Sequence, residues 1–324
     1  MDKKTNIYCE NYGWLFEDLK LHFSKLRLSG ISVICTDKPI IEADAWVAIR
    51  TVECKLSPKP AKTVVCTHDL KHQSGLYSPD GPRGAVHQMK ALVMCHPEQR
   101  NILSEAAYSF AGHPILERPL GALKTFSPAY REKPRFTIGW VGKDHPGKRL
   151  DWLISAINCM EYSKNQLEIM LVGMDLERTQ KEIIDMGITC RWYNRNNTPI
   201  EAYPDLYRQM NCLVISGRLE AGPLTLFEAL ASGIPVISTP VGWASWFAER
   251  APQFVKIASS PEEIAKELEQ FFQQKSKLET DRDLIAKFGS IWRLDDWFKE
   301  VVELASSLIT ETVVPNSDLT SVHQ

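Results

Sequence analysis

Residues 211–242, NCLVISGRLEAGPLTLFEALASGIPVISTPVG, constrain the fold of this chain more than any other stretch. Cys212 to Ser216 is a short apolar run of the kind buried on both faces of a parallel sheet, and Ile234 to Ser238 repeats it. A helix is predicted between them, with Gly222 as its N-cap and Pro223 at its first position. Gly233 and Pro235 mark its end. The turn Leu219-Glu220-Ala221-Gly222 then sits at the carboxyl end of a strand, with the amides of Gly222, Leu224 and Thr225 facing outward. Unpaired amides and the positive end of a helix dipole together favour a phosphate.

Two carboxylates frame that turn. Glu220 precedes the helix, and Glu228 lies in its second turn among Leu224, Phe227, Leu230 and Ala231. A charge in such company is costly unless something polar meets it, and a pair of sugar or ribose hydroxyls would do so. The alternative is a turn cap and a solvated helix face. The two glutamates, followed by ALASGIPVISTPVG, resemble the signature of the retaining glycosyltransferases of family 4, which have the GT-B fold. The resemblance implies that Glu228 holds the ribose of a nucleotide-sugar and that Glu220 contacts the donor sugar. It assigns Gly222, Pro223, Leu224 and Thr225 to the donor diphosphate.

A chain of 324 residues accommodates two domains of ordinary size, and 44% hydrophobic with 24% charged residues describes a soluble globular protein. The net charge of −2 argues against nucleic acid as a partner. Eight cysteines without C-x-x-C spacing read as buried free thiols in a reducing compartment. No apolar stretch is long enough for a bilayer and the amino terminus is charged, so a cytoplasmic protein is expected, with peripheral contact at a membrane face left open.

The predicted elements alternate strand and helix. Asn6 to Cys9 opens the first domain, Gly13 follows in a turn, and a helix begins near Trp14. Gly13 either lets a ligand approach the backbone or simply makes a tight turn. Strands follow at Ile31–Cys35, Ala45–Ile49, Thr63–Cys66, Ala91–Cys95 and Ile115–Arg118. The Thr63 strand leads into His68 and Asp69, which resemble family positions facing the donor sugar and acceptor; a structural His–Asp pair is the alternative. Residues 124–135 have linker composition, and the boundaries expected are 1–128, 129–290, a crossing helix at 291–309 and a flexible tail at 310–324.

The second domain opens with a strand at Phe136–Val141, followed by a loop carrying Lys143 and Lys148. The resemblance makes these the two cations on the donor diphosphate, with Arg149 where glycine is common; a solvated basic loop is the alternative. Strands follow at Leu167–Val172 and Ile188–Tyr193, and the loop at Tyr193 and Asn194 lies where the family holds the nucleobase. Helices are expected at 261–272, 278–288 and 294–309. No His/Cys spacing suggests a metal, and Asp281-Arg282-Asp283 falls in a charged helix rather than after a strand.

The fold class expected is therefore α/β: GT-B, with two Rossmann-like doubly wound domains facing a central cleft and a C-terminal helix returning to the first. The function expected is metal-free transfer of a sugar, with retention, from a UDP- or GDP-sugar to a carbohydrate, lipid-linked or other hydroxyl acceptor. No cofactor is expected beyond that substrate. Glu220, His68 and Asp69 are the catalytic candidates. A nucleotide-sugar epimerase of the same fold and a non-catalytic sugar-nucleotide scaffold are the alternatives.

Overall fold

The computed structural model describes residues 2–10, 14–67, 74–130, 133–161, 164–220 and 222–309. Contacts divide the chain into two compact units, 1–119 with 295–324 and 120–294. Gly13, His68 and Asp69 lie outside the described residues, as does the tail from 310.

The first unit is built on β1 (Lys3–Tyr8), β2 (Ile31–Thr36), β3 (Ala45–Ala48), β4 (Thr63–Thr67), β5 (Ala91–Met94) and β6 (Ile115–Glu117), with α1 (Trp14–Lys25) and α2 (Gln99–Glu105) among its helices. All pairings are parallel, in the order β2-β1-β3-β4-β5-β6. The strands β3, β4 and β5 are fully buried, which explains their near-continuous apolar sequences. The long polar stretch after β4 is not all open loop: Ser74–Tyr77 and Gly84–Gln88 form 3-10 turns.

The second unit contains β7 (Phe136–Lys143), α3 (Leu150–Cys159), β8 (Leu167–Met174), α4 (Glu177–Asp185), β9 (Thr189–Asn194), α5 (Tyr203–Arg208), β10 (Cys212–Ile215) and α6 (Leu224–Ala231). It continues with β11 (Val236–Ser238), α7 (Ala244–Arg250), β12 (Val255–Ile257), α8 (Pro261–Gln273), α9 (Lys275–Thr280) and α10 (Arg282–Gly289). Its six parallel strands run β12-β11-β10-β7-β8-β9. Read from the β9 edge this is the doubly wound order 3-2-1-4-5-6, whose direction of winding reverses between β7 and β10. Ligands in such sheets bind beyond the carboxyl ends of the strands at that reversal, so the topology itself marks the loops after β7 and β10.

Local chemistry sets these boundaries. In α8 the Ser260 hydroxyl accepts from the Glu263 amide at 3.2 Å, Pro261 occupies the first turn, and Ile264, Ala265, Leu268 and Phe271 present one buried face. The single helix expected over 278–288 is instead two, broken at Asp281. Arg282, which starts the second piece, is buried with its guanidinium on Glu279 and on the Met210 carbonyl, which ties that turn to the strand end. Residues 120–128 pack with the second unit, where Phe126 meets Tyr207 edge-on at 5.5 Å and Arg208 holds the Ser127 carbonyl.

The last helix, α11 (Leu294–Ser307), matches the expected element and belongs from Asp295 to the first unit. Trp297 and Phe298 pack on Phe23, at 5.8 and 4.7 Å, and Arg118 pairs with Glu300 at 2.6 Å. All eight cysteines are free; five are buried as expected, but Cys35 and Cys190 are only half-buried and Cys159 is exposed. Among the described residues no helix is long and apolar enough to cross a membrane.

Candidate functional site

The chain leaving β7 turns through Pro146–Lys148 and reaches α3 by way of Arg149, whose φ of 47° is left-handed. A glycine would adopt this conformation without strain; here the Arg149 guanidinium lies over Trp152 at 4.1 Å, a contact that offsets part of the cost. The chain leaving β10 passes Gly217 and Glu220, and Gly222 and Pro223 lead into α6. Three bonds stitch these two loops together. The Arg218 amide donates to the Gly147 carbonyl at 2.8 Å, the Ser216 hydroxyl donates to the Lys148 carbonyl at 2.8 Å, and the Lys148 ammonium pairs with Glu220 Oε1 at 2.5 Å. Ser216 in turn accepts from Trp140 Nε1 at 3.2 Å. Trp140, a fully buried residue of β7, thereby fixes the hydroxyl that fixes Lys148.

Two glycines lie against this turn. A Cβ on Gly217 would lie 2.8 Å from Glu220 Oε1, so a larger residue there would push on the carboxylate that Lys148 holds. Gly242 has a φ of 53°, and a Cβ there would lie 2.8 Å from Pro223 Cδ and 3.2 Å from Gly222 Cα. The loop after β11 therefore presses directly against the turn that precedes α6. Thr239, also buried, donates to the Gly217 carbonyl at 2.5 Å from the same side.

The helix begins one residue later than expected: Pro223, with φ −61° and ψ 114°, is its N-cap, and Gly222 precedes it. Proline has no N–H to lose there, and the amides of Leu224 and Thr225 become the first two of the helix, which have no intrahelical acceptor. Leu224, Thr225 and Gly222 are all partly exposed. Glu228 is half-buried in the second turn, where Tyr207 of α5 donates its hydroxyl to Oε2 at 2.7 Å. Tyr207 is fully buried, and burial together with the Glu228 charge pushes its phenol well above the ordinary range, so it stays a donor.

The remaining candidates are placed differently from expectation. β7 continues through Gly142 and Lys143 rather than ending at Val141, and the Lys143 ammonium pairs with Asp175 at 3.3 Å, both side chains being exposed. Tyr193 lies in β9 as the expected strand has it, and the strand runs one residue further, so that Asn194 ends β9 and does not open a loop. β9 is the sheet edge, two strands from β7, or roughly 10 Å at the usual strand spacing. The Tyr193 hydroxyl accepts from Arg191 at 3.0 Å and Asn194 Oδ1 accepts from the Asn196 amide at 3.0 Å. Lys148, Glu220, Gly222, Pro223, Leu224, Thr225 and Glu228 thus come together at the reversal point of the sheet. Tyr207, Ser216 and Trp140, which hold them, were not singled out from sequence. Their partners are distant along the chain, and only the adjacency of Ser216 to the turn could have flagged one of them. Among the described residues no cluster of His, Cys, Asp and Glu is arranged to hold a metal ion.

A stretch of 116 residues is 33% identical to the lipopolysaccharide 1,6-galactosyltransferase of Salmonella typhimurium, covering 35% of this chain and 32% of that protein. The chain thus matches only about a third of the length of this relative. Among solved structures, Anabaena HepE in complex with UDP and glucose superposes with a TM-score of 0.71 at 14% identity, covering 94% of this chain and all of that one. WaaG, a glycosyltransferase involved in lipopolysaccharide biosynthesis, superposes with a TM-score of 0.68 at 15% identity over 95% of this chain and 100% of its own. Residues 135–274, which contain Lys143, Lys148, Tyr193, Asn194, Glu220 and Glu228, match the family model Glycosyl transferases group 1, and the chain carrying them has the two-domain GT-B fold.

Proposed function

We propose that this protein transfers a hexose from a nucleoside diphosphate sugar to a hydroxyl of a carbohydrate acceptor. The observation that carries this reading is the Lys148–Glu220 pair, set in front of the first amides of α6 at the reversal point of the second sheet. The diphosphate occupies the Gly222–Thr225 turn, where it displaces Glu220 as the partner of Lys148. Glu220, so released, meets the donor sugar hydroxyls, and Lys143 lies at the end of β7 as the second cation. Glu228, oriented by Tyr207, receives the ribose hydroxyls.

In the reaction the bond between the anomeric carbon and the β-phosphate oxygen breaks and a bond to the acceptor oxygen forms. The acceptor proton passes to the departing phosphate oxygen. Charge builds on the diphosphate, and fixed donors aimed there lower the barrier by several kcal/mol, of the order of 3 per donor. Because those donors are Lys148 and helix amides, activity is expected to survive a chelator. Retention of anomeric configuration, attack coming from the face the nucleotide leaves, follows the family 4 resemblance. His68, Asp69 and Gly13 are the candidates on the sugar and acceptor side, with the base near Tyr193 and Asn194.

The matches to HepE with UDP and glucose and to a galactosyltransferase favour a UDP-hexose over a GDP-sugar as donor. The same relative, together with WaaG, favours a lipopolysaccharide-type glycan as acceptor and a cytoplasmic protein that meets its acceptor at the membrane face. The test is turnover of UDP-galactose, UDP-glucose and GDP-mannose, with EDTA and a core oligosaccharide acceptor, read by nucleotide release and by the anomeric coupling of the product. Acceptor-dependent release of UDP with a retained linkage supports the reading. Interconversion of the donor without acceptor would establish an epimerase instead, and binding without turnover a scaffold.

A further inference from the structure

The opposite, amino end of the second sheet holds a cavity of about 300 Å³ that the reaction above does not use. Lys133, Arg135, Asn211, Lys275 and Glu279 line it, and Tyr130 stands exposed at its margin. Arg135 directly precedes β7, and Asn211 directly precedes β10. β7 is eight residues long, about 26 Å at the usual rise, so this end is well separated from the loop that carries Lys148.

Among the described residues, the wall of the cavity carries more positive than negative charge. Glu279 Oε1 accepts from Lys133 at 3.1 Å, from Asn211 Nδ2 at 3.0 Å and from Arg282 Nη2 at 2.8 Å. Lys133 and Arg282 also share the Met210 carbonyl, at 2.5 and 2.9 Å. Two buried cations therefore share one carboxylate, the Lys133 side chain being only 9% and that of Arg282 5% exposed. Arg282 Nη1 is buried with no hydrogen-bond partner. At the mouth, Arg135 spends only Nε, on the Asn165 carbonyl at 3.1 Å, and Lys275 lies over Phe272 at 5.5 Å; neither has a carboxylate partner among the described residues. A buried charge without full compensation is expensive. Three cations lining one concavity, one of them a guanidinium fork, offer a small polyoxygen anion several charge-assisted hydrogen bonds.

We propose that this cavity binds a compact phosphate-type anion, held by Lys133, Arg135 and Lys275 and separate from the Lys148–Glu220 site. Burial and the neighbouring Arg282 bring the Lys133 ammonium down to about 8, so it stays charged near neutrality, and a bound dianion would raise it again. The proposal does not depend on the reaction assigned to the other end of the sheet.

Inorganic phosphate is the probe. Calorimetric titration of orthophosphate, at constant ionic strength with chloride as balance, is run on the wild type, on Lys148→Ala and on the double variant Arg135→Gln/Lys275→Gln. Both rim side chains are exposed, so the double variant should fold, and an unchanged circular dichroism spectrum and melting temperature verify that it does. Saturable binding that persists in Lys148→Ala and weakens at least about tenfold in the rim variant is the expected result. The proposal is overturned if phosphate binding is lost with Lys148, if the rim variant binds as the wild type does, or if the wild type shows no saturable heat.

Discussion

Lys148 and Glu220 lie 72 residues apart in the chain, yet their contact is the centre of the candidate site. In the proposed reaction each waits for the donor with its charge already satisfied by the other. Lys148→Ala should therefore lower kcat/KM by about two orders of magnitude, with a parallel loss of UDP affinity, both read in the turnover and binding assays. Tyr207→Phe removes the donor that orients Glu228. It should weaken UDP binding several-fold and destabilise the fold by about 1 kcal/mol, measured by urea denaturation, because the half-buried Glu228 carboxylate loses the Tyr207 hydrogen bond. The carboxylates and lysines were legible because their spacing within one loop or one helix is local. Tyr207 and Ser216 were not, because a tyrosine 21 positions before Glu228 and a strand-end serine bonded to a residue 68 away carry no local mark.

At the scale of elements, strand positions were legible throughout, since buried parallel strands are short apolar runs between turn residues. Their ends were less so. β7 continues into Gly142-Lys143 because β8 offers it ladder partners as far as Met174, and β9 likewise absorbs Asn194 opposite Gly173. Both extensions come from neighbours that a single segment does not reveal. The break at Asp281 has the same origin, since 278–288 is amphipathic as one helix and only the anchoring of Arg282 to the Met210 carbonyl divides it. The turn before α6 depends on the packing of the loop after β11, which gives a prediction at this scale. Gly242→Ala forces a left-handed alanine whose Cβ meets Pro223 and Gly222, and it should destabilise by about 1–3 kcal/mol while also impairing UDP binding. Normal binding in a stable Gly242→Ala protein would show that the turn does not need this support.

For the whole molecule, the GT-B reading rested on resemblance in one half of the chain, and the structure extends it to both. The order of strands in each sheet was not legible, because register across a parallel sheet is set by crossovers and not by any one sequence window. The buried Lys133 network at the amino end of the second sheet also influences stability as a function of pH. Glu279 is opposed by its own burial, but the Arg282 hydrogen bond and the Lys133 charge outweigh this and hold its carboxyl below the usual range. Lys133 falls from 10.5 to about 8, through burial first and the Arg282 charge second, against the pull of Glu279. Between those values the unfolded chain binds more protons at this position than the folded one, so its contribution to stability rises with pH. The difference in unfolding free energy between wild type and Lys133→Met should shift toward the wild type by about 1–3 kcal/mol from pH 8 to 10.5. A pH-independent difference would mean that Lys133 titrates normally.

The Lys148 loop and the Gly222–Thr225 turn are proposed to form the site for a nucleoside diphosphate. UDP titrated calorimetrically into the wild type, Lys148→Ala and Glu228→Ala in the presence of EDTA tests it most directly. The account predicts one saturable site in the wild type, a stabilisation of about 2.7 kcal/mol at a hundredfold excess over Kd, and a loss of at least tenfold in affinity in each variant. Absence of UDP binding to the wild type, or equal affinity in all three proteins, would contradict it.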